Sequence, residues 1–313
     1  MKLATFERAG QRHIGALLAD EATLSDFTAS EPAAPHFRDM LALIDNGAAA
    51  LEAARELVRK PKEKVRRAEV RLLAPLPEPR QMRDFLCFEQ HIRQARSNRY
   101  LFGQGEKLDP ATIELPTVWY EQPIYYKCNR FSVIGTETDV QWPRYCEKLD
   151  YELEFGAILG TGGKNIRRED ARGHIFGYCI FNDVSARDAQ MREMPGQLGP
   201  AKGKDFDTGN ILGPWLVTAD EIPDPYRLTM VARVNGEEWS RGNSATMGHS
   251  FEDILAHVSN EETLYPGEFF GSGTVGNGCG LEFGRFLKDG DVVELEIEGL
   301  GILRNRMVRQ GRG

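Results

Sequence analysis

The sequence predicts a fold that is mainly β with some α, in which a larger β-rich domain follows a small α/β domain. Residues 1 to about 70 mix strand-like and helix-like segments. The stretch APLPEPR (74–80) holds three prolines, a composition typical of a linker. Beyond it, short apolar runs alternate with Gly, Pro and Asn, a pattern typical of β-strands. We therefore predict a small domain at 1–73, a linker at 74–80 and a larger domain at 81–313.

The first domain is predicted to contain two strands and two helices. KLATFE and RHIGALL have the composition of short strands. The segment HFRDMLALIDNG spaces its apolar residues at a helical period from Phe37 to Ile44 and ends at Gly47. AAALEAARELVRK is a second helix by propensity, and Pro61 stops it.

In the larger domain, helices are few. VNGEE predicts a hairpin, because Asn-Gly suits the left-handed positions of a type I′ turn. Helices are predicted at about 88–99 and 185–193. A third is predicted in SFEDILAHVS, where Ser250 and Asp253 resemble an N-terminal capping pair.

Composition limits the possible partners. The formal net charge is −8, which disfavours nucleic acid or an anionic membrane as the main partner. No window approaches 18 unbroken apolar residues, so no membrane span is predicted. The first residues lack the continuous apolar segment of a signal peptide, and the five cysteines form no CxxC pair. These features fit reduced thiols in a cytoplasmic protein.

Four acidic residues stand out as candidates for a site. In DYELEFG, Glu152 and Glu154 point to one face of a strand, where like charges repel. Asp183 ends the apolar run HIFGYCIFND, and Asp84 lies in MRDFLCFEQH. Each has an ordinary alternative: a strand with one wet face for the glutamates, a helix N-cap for Asp183, and a loop acid for Asp84.

If these acids converge, they form a hard-cation site. Carboxylate oxygens suit Mg²⁺ or Ca²⁺, or Mn²⁺, and such an ion would neutralise the repulsion between Glu152 and Glu154. The histidines show no HxH or HxxxH pairing, and no cysteine pair is spaced for zinc.

Other polar residues lie in short motifs. His91 occurs in the helical segment FEQHIRQARSNR, where a lone histidine is more often structural. ARDAQ, GKDFDTG and GSGTVGNG combine polar residues with glycines that let backbone approach a ligand, or form β-turns. No GxGxxG or GxxxxGK[ST] motif occurs, so a nucleotide-binding loop is not predicted. The polar residues of these three motifs are Arg187, Gln190, Lys204, Thr208 and Thr274.

Taken together, these stretches resemble the fumarylacetoacetate hydrolase family. The similarity covers about residues 75–313, with ELEFGAILG, HIFGYCIFNDVSARDAQ, LGPAKGKDFDTG and GSGTVGNG in the family's order. It implies a mixed β-roll catalytic domain and a homodimer. Residues 1–70 look like the small N-terminal domain of the family's longer branch.

The resemblance also implies roles for individual residues. The metal-binding acids fall on Asp84, Glu152, Glu154 and Asp183, with Lys204 and Thr208 near the ion. His91 matches the catalytic histidine and Glu282 the glutamate that orients it. The substrate-side residues fall on Arg187, Gln190 and Thr274.

The sequence departs from fumarylacetoacetate hydrolase itself where two tyrosines face the substrate. Leu86 and Met194 stand in their places. An arginine after the histidine helix is displaced to Arg99 or replaced by Tyr100. We expect a substrate whose distal end is apolar or shorter, unless the helix turns its arginines inward.

The leading functional hypothesis is a Mg²⁺-dependent hydrolase of a C–C bond in an acylpyruvate or 1,3-diketo acid. A chelated metal would act as a Lewis acid, His91 would activate water, and Lys204 and Arg187 would stabilise developing charge. The alternatives are a 2-oxo acid decarboxylase or keto–enol isomerase with the same metal clamp, a lyase of hydroxy acids, and a non-catalytic metal-binding protein.

Overall fold

A long mixed sheet forms the centre of the computed structural model, which describes residues 1–309. Within the described residues this sheet has twelve strands, and a second sheet has five. The predicted class, mainly β with some α, is confirmed.

The strands are β1 Lys2–Arg8, β2 Gln11–Leu17, β3 Thr23–Asp26, β4 Lys64–Arg66, β5 Arg71–Leu72, β6 Met82–Phe85, β7 Tyr125–Lys127, β8 Val133–Ile134, β9 Val140–Trp142, β10 Leu149–Asp150, β11 Leu153–Leu159, β12 Ile175–Asp183, β13 Ser185–Ala186, β14 Asn210–Thr218, β15 Thr229–Val234, β16 Glu237–Asn243, β17 Phe269–Gly271, β18 Val292–Ile297 and β19 Gly301–Arg309. The α-helices are α1 Phe27–Ser30, α2 Met40–Asp45, α3 Gly47–Arg59, α4 Glu89–Ser97, α5 Thr117–Glu121, α6 Arg168–Ala171, α7 Arg187–Glu193, α8 Ala201–Lys204 and α9 Phe251–Ser259. The main path of the central sheet runs β4-β3-β2-β1-β14-β12-β11-β17-β6-β7, with β5 pairing β1 and β8 pairing β14. The second sheet has the order β16-β15-β18-β19-β9, and β10 pairs with β13.

The N-terminal strands extend the central sheet. β1 pairs antiparallel with β14, placing Lys2 opposite Val217. Helices α2 and α3 cover this part of the sheet, and their apolar faces share one core with Met82 and Phe269. Ala74 and Leu76 of the predicted linker are buried in that core. The division into 1–73, 74–80 and 81–313 stays a prediction.

Several local predictions are confirmed. β15 and β16 form the expected hairpin, with Asn235 and Gly236 at φ 52° and 81°. Ser250 and Asp253 form a capping box at the start of α9. One boundary differs: α2 ends at Asp45, and Gly47 begins α3 instead of ending the earlier helix.

The fold brings strand ends together where the site lies. β11 and β12 are buried at every position and pair antiparallel, with Leu153 opposite Asn182. β6 runs parallel to β17 and places Asp84 beside Gly271. The acids at these strand ends therefore face a common interior point.

Candidate active site

Three of the four predicted acids converge. Ligand oxygens of Asp84 (β6), Glu154 (β11) and Asp183 (β12) lie within 4.8 Å of one another, and all three residues are buried. The strand with one wet face is thus wrong for Glu152 and Glu154, which are 4% and 0% exposed. Gly271 makes the approach possible, because a Cβ there would lie 2.4 Å from Asp84 Oδ1.

Crowding alters the protonation of this cluster. Burial, followed by the charges of Asp84 and its other acidic neighbours, raises the pKa of Glu154 well above its usual value. Burial and Asp183 raise the pKa of Asp84 to about 8. Burial also raises the pKa of Asp183 to about 6, although Lys204 opposes the shift. Without a cation, the cluster therefore retains protons near neutral pH.

The donor set fits a hard divalent cation. Glu154 Oε2 and Asp183 Oδ1 are buried, and neither accepts a hydrogen bond from an N–H or hydroxyl group within residues 1–309. Buried oxygens without donors are costly unless a proton or cation occupies them. Carboxylate oxygens in this number suit Mg²⁺, Mn²⁺ or Ca²⁺.

Glu152 has a different environment. Its Oε1 lies 2.8 Å from Arg187 Nη1, and its Oε2 lies 2.5 Å from Lys204 Nζ. Lys204 also contacts Asp183 Oδ2 at 2.6 Å. Burial alone would raise the pKa of Glu152, but Lys204 and Arg187 outweigh it and hold that pKa below its usual range. Two cationic side chains therefore neutralise Glu152, and its place as a fourth metal ligand stays a prediction.

His91 and Glu282 form a buried pair beside the acids. His91, in the first turn of α4, lies with Nδ1 2.6 Å from Glu282 Oε1. Glu282 sits in the short 3₁₀ turn Gly280–Phe283, and Asn98 Nδ2 donates to the carbonyls of Leu281 and Glu282. The turn and the end of α4 are thereby fixed together. An Nδ1–H donated to Glu282 leaves Nε2 as the nitrogen able to exchange a proton.

One cavity of about 280 Å³ is lined by Asp84, Glu152, Glu154 and His91, whereas Asp183 and Glu282 do not line it. Leu86, Ile124, Met191 and Met194 contribute apolar surface. The ionisable and polar groups on the cavity wall are Asp84, His91, Arg96, Arg99, Tyr125, Tyr126, Glu152, Glu154, Arg187, Gln190, Lys204 and Thr274.

Arg96, in α4, and Arg99, two residues beyond the end of that helix, both face inward. Arg96 and Arg99 line the cavity, and neither forms an ion pair with an acid in the described part of the chain. Burial and the charge of Arg99 lower the pKa of Arg96, the signature of a cation without an anionic neighbour. Arg93 instead pairs with Glu89. The question that the sequence left open is thus answered for Arg96 and Arg99.

The remaining predicted residues divide into two groups. Thr274 Oγ1 donates to Glu154 Oε1 at 3.0 Å, and Gln190 Oε1 accepts from Arg187 Nη1 at 3.0 Å, both on the cavity wall. Thr208 lies elsewhere: its Oγ1 accepts the backbone N–H of Gln141 at 2.8 Å, and it does not line the cavity.

Two residues near the acids had no signal in the sequence. Tyr126 donates its hydroxyl to Asp183 Oδ2 at 2.6 Å, although YYK resembles any short strand. Asp150 accepts a hydrogen bond from Arg187 Nε at 2.9 Å and lies two residues before Glu152. Only the tertiary pairing identifies either residue as part of the site.

Comparison with known proteins decides the family. Residues 81–308 match the family described as fumarylacetoacetate (FAA) hydrolase C-terminal. The chain belongs to the fumarylacetoacetate hydrolase family. The protein named oxaloacetate tautomerase FAHD2A, mitochondrial, from Homo sapiens is 32% identical over 301 residues, which cover 95% of this chain and 87% of that protein.

Solved structures agree with the fold. A fumarylacetoacetate hydrolase from Exiguobacterium antarcticum is 28% identical, with a TM-score of 0.76 over 99% of this chain and 100% of that one. A maleylpyruvate hydrolase from Sphingobium sp. SYK-6, in complex with manganese(II) ion and pyruvate, is 23% identical, with a TM-score of 0.74 over 99% of each chain. Hydrolases and tautomerases therefore both occur among the relatives. No helix in residues 1–309 is long and apolar enough to cross a membrane.

Proposed function

We propose that this protein is a metal-dependent enzyme that catalyses keto–enol tautomerisation of a short 2-oxo dicarboxylic acid, with oxaloacetate as the first compound to test. One observation carries this proposal. Asp84 and Glu154 of the Asp84–Glu154–Asp183 cluster line the same cavity as Arg96 and Arg99. Within residues 1–309, neither arginine forms an ion pair with an acid. A cation at the cluster and two arginines across the same cavity suit a substrate with two anionic groups.

The residues present assign the proton chemistry. A divalent cation held by Asp84, Glu154 and Asp183 would supply Lewis-acid polarisation of the 2-oxo group. His91, kept in one tautomer by Glu282, would move the proton between carbon and solvent through Nε2. Lys204 and Arg187, both buried, would hold the negative charge that develops on the enolate oxygen.

The human relative named oxaloacetate tautomerase supports this reaction, since the similarity covers 95% of this chain. Tautomerisation also requires no group beyond those already described. It transfers one proton from C3 and returns one to oxygen, so atoms balance without a water nucleophile.

Hydrolysis of an acylpyruvate is the second candidate, and the apolar part of the cavity favours it. Leu86, Ile124, Met191 and Met194 would accommodate the hydrocarbon chain of a longer diketo acid. The same His91–Glu282 pair would then activate water instead of exchanging a carbon-bound proton.

The deciding assay separates the candidates by product. Purified protein with Mg²⁺ is mixed with enol-oxaloacetate, and the enol absorbance and pyruvate release are followed together. Faster loss of the enol without pyruvate supports a tautomerase, whereas equal release of pyruvate and CO₂ identifies a decarboxylase. Acetylpyruvate and a longer acylpyruvate form the second arm, in which pyruvate release identifies a hydrolase. No acceleration in either arm, with bound Mg²⁺ verified, would refute both candidates.

A further inference from the structure

We infer that Asp150 is a positioning residue that holds Arg187 and the turn carrying Glu282 as one unit. The expected effect on turnover rests on the proposed function, whereas the coupling of Arg187 to the Glu282 turn through Asp150 does not. Asp150 lies in β10, two residues before Glu152, and is fully buried.

The carboxylate of Asp150 contacts both elements. Its Oδ2 accepts from Arg187 Nε at 2.9 Å and from the backbone N–H of Leu281 at 2.9 Å. Its Oδ1 accepts from the backbone N–H of Gly280 at 2.8 Å and of Tyr151 at 3.0 Å. One buried anion thus satisfies donors from two separate parts of the site.

Each element leads to a different part of the chemistry. On one side, Arg187 Nη1 reaches Glu152 Oε1 at 2.8 Å and fixes that carboxylate. On the other side, the turn Gly280–Phe283 presents Glu282 to His91. No hydrogen bond or ion pair within residues 1–309 joins Arg187 directly to Glu282, so Asp150 is the shared partner.

Gly280 shows how closely the turn packs on this carboxylate. A Cβ at Gly280 would lie 2.6 Å from Asp150 Oδ1 and 2.0 Å from the carbonyl oxygen of Arg285. Glycine is required there, because any larger residue would push the turn away from Asp150.

Replacement by asparagine is a sharp probe of this role. Asp150→Asn keeps the shape but removes the charge and turns one acceptor into an N–H₂ group. The new N–H₂ group faces only hydrogen-bond donors and cannot accept from them. The contact with Arg187 or the contact with the Gly280–Phe283 turn must therefore weaken. The matched control is Asp188→Asn. Asp188 follows Arg187 in α7 and accepts the backbone N–H of Glu147, and within residues 1–309 its side chain forms no hydrogen bond or ion pair with Arg187 or the turn.

We expect Asp150→Asn to lower kcat by about 10- to 100-fold, because positioning is lost, while KM changes less than about threefold. Asp188→Asn should stay within about threefold for both constants. Double-mutant cycles sharpen the test: Asp150→Asn should be non-additive with Arg187→Lys and also with Glu282→Gln. Additive effects in either cycle would overturn the inference.

A readout without turnover separates this inference from the proposed function. The low-field proton resonance of the His91 Nδ1–H reports its hydrogen bond to Glu282. It should shift in Asp150→Asn and in Arg187→Lys, but not in Asp188→Asn. Arg187→Lys keeps the test available if Asp150→Asn fails to fold. A shift in a protein without tautomerase activity would support the coupling and refute only the function. An unchanged resonance in Arg187→Lys would overturn the coupling.

Discussion

Replacing Glu154 by glutamine should stabilise the metal-free protein while weakening Mg²⁺ binding. Glu154 lies among carboxylates whose ligand atoms are within 4.8 Å of one another, and its pKa is raised by burial and by those neighbours. Glutamine keeps the size and removes the charge. Its amide N–H₂ can donate to Asp84 or Asp183 without first binding a proton, which the carboxylate of Glu154 must do before it can donate.

The magnitude follows from the spacing. Two unit charges 4.8 Å apart repel by about 3 kcal/mol at an effective dielectric constant of about 20. Protonation already relieves part of this repulsion in the metal-free wild type. We therefore expect Glu154→Gln to raise the free energy of unfolding of the metal-free protein by about 1–3 kcal/mol at pH 8. That gain corresponds to a Tm higher by several degrees. In Glu154→Gln, Mg²⁺ binds without the carboxylate charge of Glu154. A binding free energy that is less favourable by about 3 kcal/mol weakens the affinity for Mg²⁺ more than 100-fold.

The assay is thermal unfolding at pH 8 in EDTA and in a Mg²⁺ series, with magnesium affinity from calorimetry. Glu237→Gln is the control, because Glu237 is exposed on β16. The reasoning is refuted if Glu154→Gln melts below the wild type in EDTA. It is equally refuted if Mg²⁺ raises the Tm of both proteins by the same amount.

Three further predictions concern turnover, specificity and pH. His91→Gln should bind Mg²⁺ normally, since His91 lies outside the acid cluster, but should lower kcat by about 100-fold or more in the enol assay. Arg96→Ala and Arg99→Ala should each raise KM for oxaloacetate about tenfold and leave KM for acetylpyruvate within about threefold, because only the diacid has a second carboxylate. The Mg²⁺-induced rise in Tm should be larger at pH 8.5 than at pH 5.5. The folded pKa values of Asp183 and Asp84, about 6 and about 8, exceed the unfolded value of about 3.9. The stability that these protons give the metal-free protein is therefore lost as pH rises through that range.

Controls decide each of these outcomes. Arg93→Ala, on the same helix but paired with Glu89, should leave the KM for oxaloacetate unchanged. Equal KM changes for diacid and monoacid would refute the role of Arg96 and Arg99. Full turnover by His91→Gln would remove His91 from the proton transfer. A Mg²⁺ effect on Tm that is independent of pH would contradict the protonation of the cluster.

Much of this site was accessible from the sequence because strand alternation and local motifs are regular. The spacing of Glu152 and Glu154 predicted that both point to one face of a strand, and the run HIFGYCIFND placed Asp183 at a strand end. That these acids converge followed only from the family resemblance. The His91–Glu282 pair followed only from the family resemblance, since the two residues are 191 positions apart. The structure now supplies that contact directly.

Other features could not be predicted because they depend on tertiary packing. The alternation of a strand does not show that Arg187 and Lys204 both pair with Glu152, which gives it an environment unlike that of Asp84 and Glu154. Helical periodicity did not decide which of the arginines in and just after α4 face the cavity. Nor did composition reveal that the N-terminal strands would extend the central sheet through β1 and β14.

The most direct test of the metal centre is an anomalous scattering map from crystals grown with Mn²⁺. The account predicts one strong peak within bonding distance of oxygens of Asp84, Glu154 and Asp183, in the cavity that His91 lines. The same map decides whether Glu152 is a fourth ligand or stays paired with Lys204 and Arg187. A peak elsewhere with none at this cluster, at Mn²⁺ concentrations that support activity, would contradict the account.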